Sequence, residues 1–261
     1  MTIPCVLSIA GSDSGGGAGI QADLKAFARS GVHGMTAITA ITAQNTVEVR
    51  AVEAVSPGMI KAQIAAVADD LGVDAVKIGM LGSVATIEAV AEALGRLPAG
   101  TPIVLDPVMV AESGGRLLDV DAEESLRERI VPLVTVVTPN VAESRVLARA
   151  GEDVPLEEVA RRIHALGPGA VIVTGGHREE ASDLLFDGER FESIPGERHP
   201  GGAAHGSGCT HSATLAAQLA KGRSLMEAAT AAREIAGAAV RDGLREVGAG
   251  AGPVNVLGLR S

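Results

Sequence analysis

The sequence predicts one α/β domain over residues 1–261, with a mostly parallel central sheet and helices on both faces. Three observations carry this. Short, β-branched apolar runs alternate with segments of helical spacing through most of the chain, and such alternation demands crossover connections. No linker, low-complexity tract or internal repeat divides it. The composition is globular, with 46% apolar and 21% charged residues, and the length suffices to bury most of the apolar surface of the unfolded chain. With three Phe and neither Tyr nor Trp, the core must be built from Ala, Val, Leu and Ile.

Taken in order, residues 5–11 form an apolar run ending in Gly11, and residues 20–31 set Ile20, Leu24 and Phe27 on one helical face. Residues 35–45 are β-branched. Residues 74–81, 102–110, 134–140 and 170–177 are further buried-strand candidates. Between them, segments 84–97, 122–131, 141–151 and 156–167 have helical spacing. Beyond Gly176 the pattern changes. Residues 181–198 read as a hairpin turning at Asp187-Gly188, followed by two Ala-rich helices, from about Cys209 to Lys221 and from about Ser224 to Asp242.

The net charge of −10, without a basic run, argues against nucleic acid and anionic membrane as partners. The N-terminus lacks the layout of a secretory signal, and no stretch approaches the ~20 apolar residues a spanning helix needs. A cytoplasmic protein is the expectation. Cys5 and Cys209 form neither a metal nor a disulfide spacing.

Strand candidates end in Gly11, Gln44, Gly79, Asp106, Asn140 and Gly175. Ligands of open parallel sheets sit beyond the carboxyl ends of the strands, so this row is a candidate site. "GSDSGGGAGIQAD" (11–23) is a Gly-rich strand-to-helix loop that matches neither the dinucleotide fingerprint nor a P-loop. It is either a plain turn or a flexible loop over a small substrate. Asp23, expected on the first turn of the next helix, either accepts a hydrogen bond from a ligand amine or serves as a favourable N-terminal charge.

"HGSGCT" (205–210) points backbone N–H groups of Gly206, Ser207 and Gly208 to one place at a helix N-terminus, which suits a phosphate. The same field is expected to lower the pKa of the Cys209 thiol; the alternative is that Cys209 is a small buried apolar residue. Asp106 and Glu143 stand at strand ends and could share a hydrated Mg²⁺. Equally, Asp106 is a turn residue before Pro107, and Glu143 is a helix-start carboxylate behind an Asn140 N-cap.

"AGSDSGGGAGIQADLKAF", "TAQNT", "KIGMLGS", "LDPVMVAESG", "TPNVAE" and "HGSGCT" occur in that order between residues 10 and 210. Together they resemble the hydroxymethylpyrimidine/phosphomethylpyrimidine kinases of thiamine biosynthesis, within the ribokinase-like three-layer fold. Most ribokinase relatives carry Asp where Cys209 stands. The resemblance implies ATP-dependent phosphorylation of 4-amino-5-hydroxymethyl-2-methylpyrimidine, then of its monophosphate. It implies pyrimidine contacts from Gly11, Asp23, Gln44, Met80 and Val108, and Mg²⁺ at Asp106 and Glu143. Asn140, Thr174 and Gly206–Gly208 would serve the nucleotide and phosphates, and Cys209 would take the hydroxyl proton. A homodimer is implied, and K⁺ is a candidate further ion. Many relatives carry Lys at the positions of Thr174 and Glu112 and Thr at that of Ala204, so two cations expected near the nucleotide are absent here. A pyridoxal kinase of the same superfamily is the nearest alternative. A non-catalytic binding module is more remote, because Asp106, Glu143 and Cys209 occur together.

Overall fold

The computed structural model describes residues 3–111, 114–175 and 181–260. One nine-stranded sheet organises them, in the order β3-β2-β1-β4-β5-β6-β7-β8-β9. Its centre is parallel: β1 (Cys5–Asp13) lies between β2 (His33–Gln44) and β4 (Ala75–Ile78), followed by β5 (Ile103–Leu105), β6 (Val136–Val137) and β7 (Ala170–Val173). Antiparallel strands close both edges: β3 (Val49–Ala54) on one side, and the hairpin of β8 (Asp183–Phe186) and β9 (Phe191–Ile194) on the other. The hairpin turns where expected. Gly188 takes φ +97°, and the Asp187 carboxylate accepts from the Glu189 and Arg190 amides.

The period-2 alternation of buried strands divides the core in two. Leu7, Ile9, Val76, Ile78, Leu105 and Val137 face α2 (Pro57–Asp70), α3 (Val84–Leu94), α4 (Ala122–Arg129), α5 (Val141–Ala148) and α6 (Leu156–His164). Val6, Ala75, Val104, Val136 and Ile172 face α1 (Gly19–Ser30), α7 (Ser207–Ala220) and α8 (Leu225–Arg241). The Ala-rich helices lie on this second face. Ala213, Ala216 and Ala217 of α7 and Ala228, Ala229 and Ala232 of α8 have no exposure, and their short side chains let the helices seat close to the sheet. The few aromatics are structural: Phe27 is wholly buried on the inner face of α1, and Phe186 stacks on Phe191 with centroids 4.4 Å apart.

Two elements escape the sequence reading. Helix α2 starts on a signal that was available, Ser56 capping the Met59 amide with Pro57 in the first turn. Strand β3 is exposed over five of its six residues and so shows no buried run. One placement needs correcting: α1 begins at Gly19, its first turn holds no acidic residue, and Asp23 lies one turn further in. The Lys-to-Glu112 departure, like Gly176 and His177, falls outside the described residues.

Candidate active site

A cavity of about 410 Å³ opens at the carboxyl ends of the parallel strands. On one side it is lined by Gly11, Gln44, Met80 and Val108, which lie at or beyond the ends of β1, β2, β4 and β5. In the middle are Asp106 and the turn Gly206–Cys209. Asn140, Glu143 and Thr174 follow, from the ends of β6 and β7. The structure thus brings the sequence-predicted site residues to one surface, except Asp23 and the strand-end glycines Gly79 and Gly175.

Gln44 is fixed by the Gly-rich loop. The Ser14 hydroxyl donates to the Gln44 carbonyl (2.7 Å) and accepts from its amide (2.8 Å), and the Thr42 hydroxyl donates to Gln44 Oε1 (3.3 Å). The loop is itself wound on Asp13, which sequence reasoning passed over. Its Oδ1 accepts from the Gly15 amide (2.8 Å), and its Oδ2 from Gly17 (3.0 Å) and Ala18 (2.9 Å). Burial works against the charge, but hydrogen bonds from His205 and from the Ala18 and Gly15 amides outweigh it and hold the Asp13 carboxyl below its ordinary value.

Asp23 does not line the cavity. It is wholly buried beneath α1, accepting a hydrogen bond from the Ser8 hydroxyl (2.5 Å) and paired with Lys77 at 2.9 Å. Its carboxylate faces a lysine of this chain rather than a ligand amine. Lys77 was missed from the sequence, although a lysine inside a four-residue strand whose every position is buried is itself a signal. Burial alone would lower its pKa. Asp23 foremost, then Cys209 and Asp106, raise it instead, so Lys77 stays protonated.

Gly206 adopts φ +87° at the N-cap of α7, and Cys209 is the third residue of that helix. The expected depression of its thiol pKa does not occur. Burial pushes the thiol up to about 12; Lys77 and the Gly19 amide oppose this, while Asp106 and Asp23 reinforce it. Desolvation, reinforced by two carboxylates, outweighs the pull of Lys77 and the Gly19 amide.

Asp106 follows β5, is 6% exposed and accepts from the Ser212 hydroxyl at 3.1 Å. Burial raises its pKa against the pull of Lys77. Glu143 is indeed a helix-start carboxylate: it accepts from the Asn140 amide (2.9 Å) while Asn140 Oδ1 caps the Glu143 amide (2.9 Å). Burial, and then the charge of Asp106, push Glu143 up to about 8. A buried and a half-buried carboxylate that repel each other beside an amide-rich turn suit a cation. No cluster of three metal-ligating side chains occurs among the described residues; two carboxylates completed by substrate phosphates and water are a Mg²⁺ donor set, not a Zn²⁺ one.

The far end of the cavity holds charges that sequence reasoning also missed. Arg233 of α8 and His211 of α7 line it, and both approach the wholly buried Asp183, at 3.7 Å and 3.2 Å. Asp183 also accepts from the Gly175 amide (2.8 Å), next to Thr174. A cation therefore stands at this end even though position 174 is a threonine. In sequence, Arg233 looks like one more solvated arginine of an Ala-rich helix.

A mostly parallel three-layer sheet, with a Gly-rich loop at one end of the site and an amide turn opening a helix at its centre, defines a ribokinase-like phosphotransferase. A family model described as phosphomethylpyrimidine kinase matches residues 13–255, and the chain belongs to that family. It is 51% identical over 255 residues, 95% of either chain, to a hydroxymethylpyrimidine/phosphomethylpyrimidine kinase of Rhizobium meliloti. Among solved structures, the phosphomethylpyrimidine kinase of Clostridium difficile superposes with TM-score 0.78 at 39% identity, covering 88% of this chain and 96% of that one. An ADP complex of Bacillus subtilis pyridoxal kinase gives TM-score 0.87 at 40% identity, covering 97% of each. No helix among the described residues is long and apolar enough to cross a membrane.

Proposed function

We propose that this chain transfers the terminal phosphoryl group of ATP to the hydroxymethyl oxygen of 4-amino-5-hydroxymethyl-2-methylpyrimidine, and then a second one to the resulting monophosphate. The observation that carries this reading is the arrangement of one cavity: Gln44, Met80 and Val108 at one end, the Gly206–Cys209 turn in the middle, and Thr174 and Arg233 at the other. A planar aminopyrimidine has donor and acceptor edges that a carboxamide such as Gln44 can pair. Its hydroxymethyl group would then reach the turn, whose amides face the charge of the phosphoryl group in flight. Asn140, Thr174 and Arg233 would meet the nucleotide.

Mg²⁺ held by Asp106 and Glu143 would supply charge neutralisation between the phosphates. Cys209 accepts the hydroxyl proton only as a thiolate. Lys77 favours that form, while the carboxylates at Asp106 and Asp23 oppose it; a cation held at Asp106 would offset part of that opposition. On the family resemblance the enzyme acts in the cytoplasm as a homodimer, and K⁺ dependence is read by assaying with and without the ion.

Mass spectrometry of products from protein, ATP, Mg²⁺ and hydroxymethylpyrimidine tests the reading; a diphosphate is expected, and no phosphorylated pyrimidine at all would overturn it. The similarity to a pyridoxal kinase favours a second reading, phosphorylation of a vitamin B6 alcohol. Pyridoxine in the same assay decides it: that substrate would stop at the monophosphate.

A further inference from the structure

The Gly-rich loop and the turn before α7 meet through residues 192 apart in sequence: His205 Nε2 lies 3.1 Å from Asp13 Oδ2. Both side chains are more than nine-tenths buried, and both residues line the cavity. A carboxylate only accepts, so Nε2 carries the proton. Around this contact the two backbones close face to face. A Cβ on Gly17 would stand 2.2 Å from His205 Cδ2, and one on Gly206 would stand 1.8 Å from the Gly17 carbonyl oxygen. Neither position admits a side chain without parting the loops.

Asp13 already accepts three amides of its own loop. Those bonds suffice to shape the loop, so the imidazole contributes something separate, a link between loops. The His205 carbonyl is tied elsewhere, accepting from the Val254 amide at 3.0 Å; the backbone of the turn is thus held from behind while its side chain reaches forward. On one side of the link, Gly11, Ala18 and Gly19 line the alcohol end; on the other, Gly206–Cys209 form the amide turn.

We propose that Asp13 and His205 are a positioning pair that fixes the amide turn relative to the alcohol-binding wall, so that the acceptor oxygen and the incoming phosphoryl group are held in line. This rests on the kinase reading above. In-line phosphoryl transfer is dominated by positioning, and a misplacement of about 1 Å costs roughly 100-fold in rate.

The test uses the full-length enzyme with His205→Ala, His205→Gln, Asp13→Asn and the double variant His205→Ala/Asp13→Asn. His205→Ala should lower kcat on the pyrimidine alcohol roughly 100-fold, with ADP affinity by calorimetry within about twofold, since no nucleotide-end residue is altered. His205→Gln keeps an N–H donor in that place and should recover about tenfold or more of the loss. The double variant should be no worse than the poorer single one, because both remove the same link. Amide hydrogen exchange gives a readout independent of turnover: in His205→Ala, exchange at residues 15–18 and at 206–209 should rise together. Exchange unchanged at either loop, equal loss in the Gln and Ala variants, or a fall in ADP affinity matching the fall in kcat would overturn the pair's role. If the wild-type enzyme itself fails to phosphorylate the pyrimidine, the kinase reading fails, and the exchange result still decides whether the two loops are linked.

Discussion

The Lys77 ammonium sits 2.9 Å from a carboxylate oxygen of Asp23, and neither side chain has any exposure. The pair is enclosed between the sheet and the layer of α1 and α7, with Lys77 at the floor of the cavity. Breaking a buried pair strands one charge, at a cost of about 3–5 kcal/mol, whereas removing both partners is far milder. Lys77→Met should therefore lower the unfolding midpoint strongly, and Lys77→Met combined with Asp23→Leu should recover most of it. Urea denaturation of the three proteins is the check. Equal loss in the single and double variants would mean that packing, not charge pairing, sets the cost.

The Cys209 thiol makes a prediction with a definite sign. Its folded pKa of about 12 lies above the ordinary thiol value of 9.0, so between those limits the unfolded chain gives up this proton first. The contribution is complete below pH 9 and is lost as pH rises towards 12. In a Cys5→Ser background, alkylation of Cys209 in the ligand-free protein should be slow at pH 7 and still climbing at pH 10. A plateau near neutrality would show that the helix field wins after all.

Cys209→Ala should separate the two phosphorylations. The alcohol must lose a proton, which a positioned base assists by about 10²–10⁴-fold. The monophosphate, with a second pKa of about 6, is largely ionised at neutral pH. The variant should be crippled on the alcohol and retain much of its rate on the monophosphate, assayed separately at saturating ATP. Equal loss on both would reassign Cys209 to the shape of the turn.

Gln44→Ala should weaken the pyrimidine and leave ATP alone. Unpaired polar edges in a closed site cost about 1–3 kcal/mol each, so pyrimidine affinity should fall roughly tenfold or more. Calorimetry with each ligand reads this directly; unchanged pyrimidine binding would move the alcohol end of the cavity elsewhere.

The parts legible in the sequence were those governed by local pattern. The buried strands announced themselves because both faces of the sheet are covered, and the Asn140–Glu143 cap was readable because its partners are three residues apart. What escaped was non-local. Lys77 and Asp23 are 54 residues apart, so neither could be seen to satisfy the other, and Asp23 looked available to a ligand. The helix N-terminus at Cys209 was visible, but not the burial of its thiol, which foremost pushes its pKa up, nor the approach of Asp106 and Asp23 to it. Strand β3 was hidden by its exposure. Arg233 was hidden by its setting in α8, where nothing local reveals that its side chain approaches Asp183 from a different element.

The order of the strands has an evolutionary consequence. Residues at the ends of β1, β2, β4 and β5 wall one half of the cavity, while β6, β7 and α8 furnish the other, and the amide turn of α7 stands between them. On the proposed reading these are an acceptor half and a donor half, and substitutions that reshape the one need not touch the other. A lineage can therefore exchange one vitamin precursor for another by editing a few positions on one flank, inheriting its phosphate chemistry intact. Likeness of this chain to both a pyrimidine kinase and a pyridoxal kinase, at 39% and 40% identity, is what such a division of the sheet edge would leave behind.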